Sequence, residues 1–239
     1  MTSQAPVIFA EPDRPFWGFG EVFATVGVFL ASLFLIVIAL RPWLGADVQR
    51  GSWTVVEEAV AYALAFGAMK VLFSRYDQPL LASLGWKRSP FPAQGLVITG
   101  FLLAGVVVLL EFALQTPEVH TPFEKLLSDP VSRVTIAIFG VSAAPVVEEL
   151  LFRGFLQPLL VSSLGVLPGI LTTASIFGAM HLAQNAALWQ SFVLITVVGF
   201  VLGVVRHVSG STKASAIVHI AYNTLPFFAL LIQSPPKPS

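Results

Sequence analysis

A chain of 239 residues in which 56% are hydrophobic and only 11% are charged cannot cover a water-facing surface, because soluble domains carry roughly 25% charged residues. Thirteen Lys and Arg balance 13 Asp and Glu, so there is no basic field to hold nucleic acid, and none is expected as a partner. Cysteine is absent, which removes disulfides, thiolate nucleophiles, cysteine-ligated zinc and prenylation of the chain itself.

A helix needs about 20 apolar residues to cross ~30 Å of hydrocarbon, and the chain supplies several such runs. Residues 1–17 form a polar segment with Glu11, Asp13 and Arg14 among prolines and no basic n-region, so no cleaved leader is expected. The first span is 22–40, uncharged between Glu21 and Arg41. The second, 53–73, carries Glu57, Glu58 and Lys70 near its ends, where long side chains reach the interface. Residues 78–92, broken by Pro79, Gly85, Pro90 and Pro92, read as an interfacial loop with a short helix, and 89–110 as the next span.

The second half is denser. The run 134–147 meets Glu148 and Glu149 without leaving a helical pattern, and 154–205 holds no Asp, Glu, Lys or Arg. Ser162 to Gly165 followed by Pro168-Gly169 supplies a helix stop and start. The next break falls at Gln184-Asn185, 189–206 forms a sixth span, Ser209-Gly210-Ser211 a turn, and 212–233 a seventh. The tail 234–239 is Pro-rich and expected to be disordered. The sequence thus predicts an all-α polytopic transmembrane helix bundle of about seven spans. Residues 18–233 make one domain, its functional core about 131–225, with helices enclosing a polar cavity. The positive-inside rule favours a cytoplasmic N-terminus.

Three polar constellations lie inside this lipid-buried sequence: Glu148-Glu149 with Arg153, Phe177 with His181, and His219 with Asn223. A charged residue at bilayer depth costs about 2.5–3.5 kcal/mol on insertion scales, so the default reading is a functional site. If the chain turns at Gly165, Glu148 stands 17 residues before the turn and His181 stands 16 after it, which gives both one depth. His219 and Asn223 follow Gly210 by 9 and 13 residues, roughly 14–20 Å along the axis. Each pair is spaced i,i+4 and shares a helix face. A carboxylate beside an imidazole, as Glu148 beside His181, takes a proton from water and returns it to a leaving amine. His219 with Asn223 offers donors to a developing oxyanion, while Arg153 pairs with Glu149 and leaves Glu148 free. A cavity opening on the side of the Gly165 and Gly210 turns is expected.

Plainer readings compete. His181 and His219 taken singly are core histidines, and only their joint occurrence with the carboxylates reverses this. Phe177 packs against His181, Asn223 bridges helices, and Gly199 with Gly203 marks close helix packing. Val55-Val56-Glu57-Glu58 repeats the tetrad ending in Glu149, but without a following Arg it reads as coincidence or interfacial, and Glu111 is given no role. No Gly-x-Ser-x-Gly elbow and no His-Glu-x-x-His occurs. The alternative from another class is a non-catalytic scaffold or transporter using the buried Glu and His groups.

The order Glu-Glu-x-x-x-Arg, Phe-x-x-x-His, then Gly-x-x-x-Gly and a Ser-Gly-Ser turn leading to His-x-x-x-Asn resembles the CPBP family, the CAAX-protease and bacteriocin-processing intramembrane peptidases related to type II CAAX prenyl endopeptidase. The matching residues are Glu148, Glu149, Arg153, Phe177, His181, Gly199, Gly203, Ser209, Gly210, Ser211, His219 and Asn223. The resemblance implies a membrane hydrolase in which Glu148 and His181 activate water and His219 and Asn223 stabilise the oxyanion. Glu149, Arg153 and Phe177 support them. Its substrate would be a peptide or protein, with or without a prenyl group, met within the lipid. The compartment would be the cell membrane in a prokaryote or the endoplasmic reticulum in a eukaryote. Glu148, His181 and His219 would also make the His₂Glu set of a catalytic zinc. Neither Glu149 nor Asn223 stands out as an orienting partner for such a ligand, so metal-independent chemistry is the preferred reading.

Overall fold

The computed structural model describes residues 14–44, 51–117, 119, 121–127 and 129–232, and every regular element among them is helical. In chain order these are α1 (Phe19–Leu44), α2 (Gly51–Ser74), α3 (Leu80–Ser83), α4 (Ala93–Ala113), α5 (Pro122–Leu126), α6 (Pro130–Gly140), α7 (Ala143–Glu149), a π-helical segment (Leu150–Leu156), α8 (Gln157–Leu164), α9 (Val166–Met180), α10 (Trp189–Ser209) and α11 (Thr212–Ile232). The expected tail 234–239 lies outside the described residues. Four helices, α1, α4, α10 and α11, are long and apolar enough to cross a membrane. A fifth span results if α6 and the helical stretch Ala143–Leu164, bent by 40° at their junction, count as one. Seven spans were expected. α2, which carries Glu57, Glu58 and Lys70, and α9, with 15 residues, are not among those that qualify.

Glycine and proline set the breaks. Gly165 (φ 87°) separates α8 from α9, and Gly210 (φ 62°) ends α10, both in backbone regions that disfavour a side chain. Thr121 and Asp129 cap α5 and α6 by accepting from the Glu124 and Ser132 amides, each followed by a proline in the first turn. The run 134–147 is not one helix as expected: α6 stops at Gly140 and α7 begins at Ala143. Pro145 explains this, because its ring clashes with the carbonyl four residues earlier, at Val141. Pro158 acts in the same way on the carbonyl of Gly154, and the wider π turn just ahead of it relieves the clash.

Packing is pairwise between consecutive helices, α1 with α2, α8 with α9 and α9 with α10, and α11 closes the bundle against α4, α6 and α7. One apolar cluster joins Trp17, Phe73, Leu84, Leu150, Phe155 and Leu159, and a second joins Leu96, Leu103, Leu194, Val198, Leu202 and Val218. Trp17 stacks on Phe73 at 5.2 Å and donates from Nε1 to the Phe155 carbonyl at 3.0 Å, so the end of the N-terminal segment packs into the bundle. The loop after α3 does the same. Thr212 and Ser211 donate to the carbonyls of Leu84 and Lys87 at 2.6 Å each, which ties this loop to the α10–α11 turn. Large apolar side chains such as Phe23, Phe34, Leu109 and Phe112 face outward, as expected of helices solvated by lipid rather than water.

Candidate active site

α7 and the π segment present the Glu148-Glu149 pair to α11. The Glu149 side chain is fully buried, and its Oε1 accepts from Arg153 Nη1 at 2.9 Å while lying 3.0 Å from His219 Nδ1. Arg153, also fully buried, donates from Nη2 to the Gly199 carbonyl at 2.9 Å, with its guanidinium carbon 4.5 Å from the centre of the Phe177 ring. One turn on, Gln157 donates to the Gly203 carbonyl at 3.0 Å. Gly199 and Gly203 thus do more than let helices approach: their bare carbonyls anchor the helix that carries the carboxylates. A methyl group on Gly203 would lie 2.8 Å from Ile170 Cγ2 and 3.0 Å from Gln157 Oε1. Gln157 carried no signal of this in the sequence beyond its i,i+4 spacing from Arg153.

His219 is 3% exposed. A carboxylate only accepts, so the ring nitrogen facing Glu149 carries a hydrogen and Nε2 is turned toward Glu148, 3.8 Å from its Oε2. Glu149 is therefore the orienting partner of His219, which the sequence reading did not find. His181 sits at the C-terminal end of α9, with Nδ1 2.8 Å from the Phe177 carbonyl. That bond places the hydrogen on Nδ1 and leaves the Nε2 lone pair free to take a proton. The Phe177 ring lies 4.7 Å from that of His181 and 5.9 Å from that of His219, so it packs against both imidazoles. Asn223 donates to the Gly140 carbonyl at 2.7 Å. This uses one of its two amide hydrogens and leaves the other.

Glu148, His181, His219 and Asn223 all line one cavity of about 760 Å³. Glu148 and His181 line the same space, while the direct contact of Glu148 is with His219. Polar groups are confined to part of the wall, and the rest is apolar, including Phe29, Leu33, Phe152, Ile195 and Val198. The lining reaches Phe123, Leu126, Gln184 and Asn185, at the ends of α9 and α11 away from Gly165 and Gly210. Neither of those glycines lines it, contrary to the expected opening. Glu58 and Tyr62 of α2 also line it. Glu58, set aside above as an echo, thus belongs to the cavity. The i,i+4 spacing of Glu58 and Tyr62 was the available clue.

Among the described residues no three of His, Asp and Glu converge closely enough to hold a metal ion. The Glu149–His219 and Phe177–His181 contacts both have the form of an acceptor orienting a metal-bound imidazole, but the side chains of Glu148, His181 and His219 are not gathered closely enough to share one ion. As placed, Glu148, His181 and His219 do not form a zinc site.

The described chain is thus an all-helical, multi-pass membrane protein with carboxylates and imidazoles around an internal cavity. Residues 130–225 match the family model Rce1-like, described as type II CAAX prenyl endopeptidase Rce1-like, so this segment of the chain is similar to the CAAX-protease family. The family is one of proteases. All three motifs fall within the matched segment, whereas α1, α2 and α4 lie outside it. No curated protein and no solved structure matches the chain.

Proposed function

We propose that this protein is an intramembrane endopeptidase that hydrolyses peptide bonds in the cavity between α2, α7, α9 and α11. The observation that carries the reading is the convergence of Glu148, His181, His219 and Asn223 on one cavity, braced by the Glu149–Arg153–His219 network. Glu148, helped by Nε2 of His181, takes a proton from water as the water oxygen bonds to the scissile carbonyl carbon. His219, held by Glu149, presents its Nε2 side to the oxygen that gains charge, and the remaining Asn223 amide hydrogen donates to that oxygen. Collapse breaks the C–N bond, and the proton held by Glu148 passes to the departing amine. Apolar walls fit a substrate that enters from lipid: a CAAX-type prenylated protein or a bacteriocin-type peptide.

Detergent-purified protein incubated with prenylated and unprenylated apolar peptides, read by mass spectrometry, tests this. Cleavage of at least one peptide is expected; failure across a broad panel by folded protein would favour the scaffold or transporter. Because the placed side chains do not form a zinc site, chelator-treated protein should retain its cleavage rate. Stoichiometric zinc, with activity lost on its removal and restored on its return, would show that the ligands rearrange around a metal.

A further inference from the structure

Among the described residues the cavity has two carboxylates on its lining, Glu148 on α7 and Glu58 on α2, and no Lys or Arg. Arg153, the guanidinium nearest the motifs, is fully buried and committed to Glu149 and the Gly199 carbonyl. Glu58 itself makes no ion pair among the described residues and is half-buried. A carboxylate removed from bulk water without a partner is unfavourable, and a counter-charge relieves it. Tyr62, one turn along the same face, has its ring stacked on Phe29 at 5.1 Å and 15°, which holds a rigid aromatic surface beside the carboxylate. A carboxylate next to a fixed ring suits an ammonium or guanidinium group, and the apolar wall around them suits its aliphatic stem.

We propose that Glu58, with Tyr62 beside it, is a specificity-determining residue that receives a lysine or arginine side chain of the peptide substrate while the scissile bond lies against Glu148. This rests on the reading of the cavity as a peptidase site. It is independent of the three motifs, since α2 lies outside the matched segment 130–225.

The test is a set of apolar peptides identical except for one scanned position carrying Lys, Arg, Gln or Glu. For the wild type, kcat/KM at one position should be about 10- to 100-fold higher with Lys or Arg than with Gln, the usual size of a hydrogen bond to a charged group. Glu58→Gln should erase that ratio, Glu58→Asp should keep part of it, and Glu58→Lys should turn the preference toward the Glu peptide. The ratio is internal to each variant, and thermal melts identify any variant that does not fold. Kd values of fluorescent versions of the same peptides are measured alongside. If the wild type cleaves nothing, the peptidase reading fails, yet tighter binding of the Lys peptide that is lost in Glu58→Gln still supports the subsite. No cationic preference in wild-type cleavage or binding, or its persistence in Glu58→Gln, overturns the proposal.

Discussion

His181→Ala is expected to abolish peptide cleavage with little change in melting temperature, whereas His219→Ala should abolish cleavage and lower the melting temperature as well. The two histidines differ in their surroundings. His181 is half-buried at the end of α9, and among the described residues its side chain bonds to the Phe177 carbonyl of its own helix. Its loss removes a proton acceptor, an effect of ~10²–10⁴ in rate for general acid–base catalysis, and leaves the packing between helices in place. His219 joins α11 to Glu149, and a buried hydrogen bond to a charged group contributes about 1.5–3 kcal/mol. Asn223→Ala should lower the rate by ~10²–10³, as loss of one oxyanion donor does. Initial rates and thermal melts on the same preparations check all three. Wild-type cleavage in His181→Ala, or an unchanged melt in His219→Ala, would contradict the assignment.

Arg153→Ala should be the most damaging single change to the folded state. It leaves the fully buried Glu149 without its cation and orphans the Gly199 carbonyl. Breaking a buried pair from one side costs about 3–5 kcal/mol, a large part of a typical domain's stability. Arg153→Lys should rescue little, because a single ammonium cannot hold Glu149 and Gly199 in the directions of a planar fork. Removing both partners is a sharper check. The double variant Glu149→Leu with Arg153→Met is expected to be more stable than Arg153→Ala, since it buries no unpaired charge. Melting in detergent reads the series, and an Arg153→Ala protein as stable and active as the wild type would show that the pair contributes nothing.

Much of the fold was legible because its punctuation is local. Gly165, Gly210 and the break near residue 184 fixed helix ends that the structure keeps, and i,i+4 spacing placed each motif pair on one face. The break at Val141-Ser142 was missed because apolar content outweighed Pro145, although the proline carried the signal. The π segment has no sequence signature of its own. Spacing gives the face a side chain occupies but not what meets it across the bundle. Hence Arg153 was correctly paired with Glu149, four residues away, while the contact of Glu149 with His219, 70 residues away, was not found. Glu58 was misjudged for the same reason: its α2 faces the cavity only through packing against α1 and α6. Of the seven expected spans, four helices, or five with the bent pair, have the length and hydropathy for crossing. α2 is helical over 24 residues yet carries an acidic pair, and one of those carboxylates lines the interior cavity.

The central claim is that Glu148 activates the water that cleaves the peptide. It is tested most directly by Glu148→Gln, which keeps the shape of the side chain and removes its basicity. Wild-type protein and Glu148→Gln, purified in the same detergent and shown by melting to be equally folded, are given one peptide substrate, and intact and cleaved masses are followed over time. The account predicts cleavage by the wild type and none by Glu148→Gln. Cleavage by Glu148→Gln at the wild-type rate would contradict it.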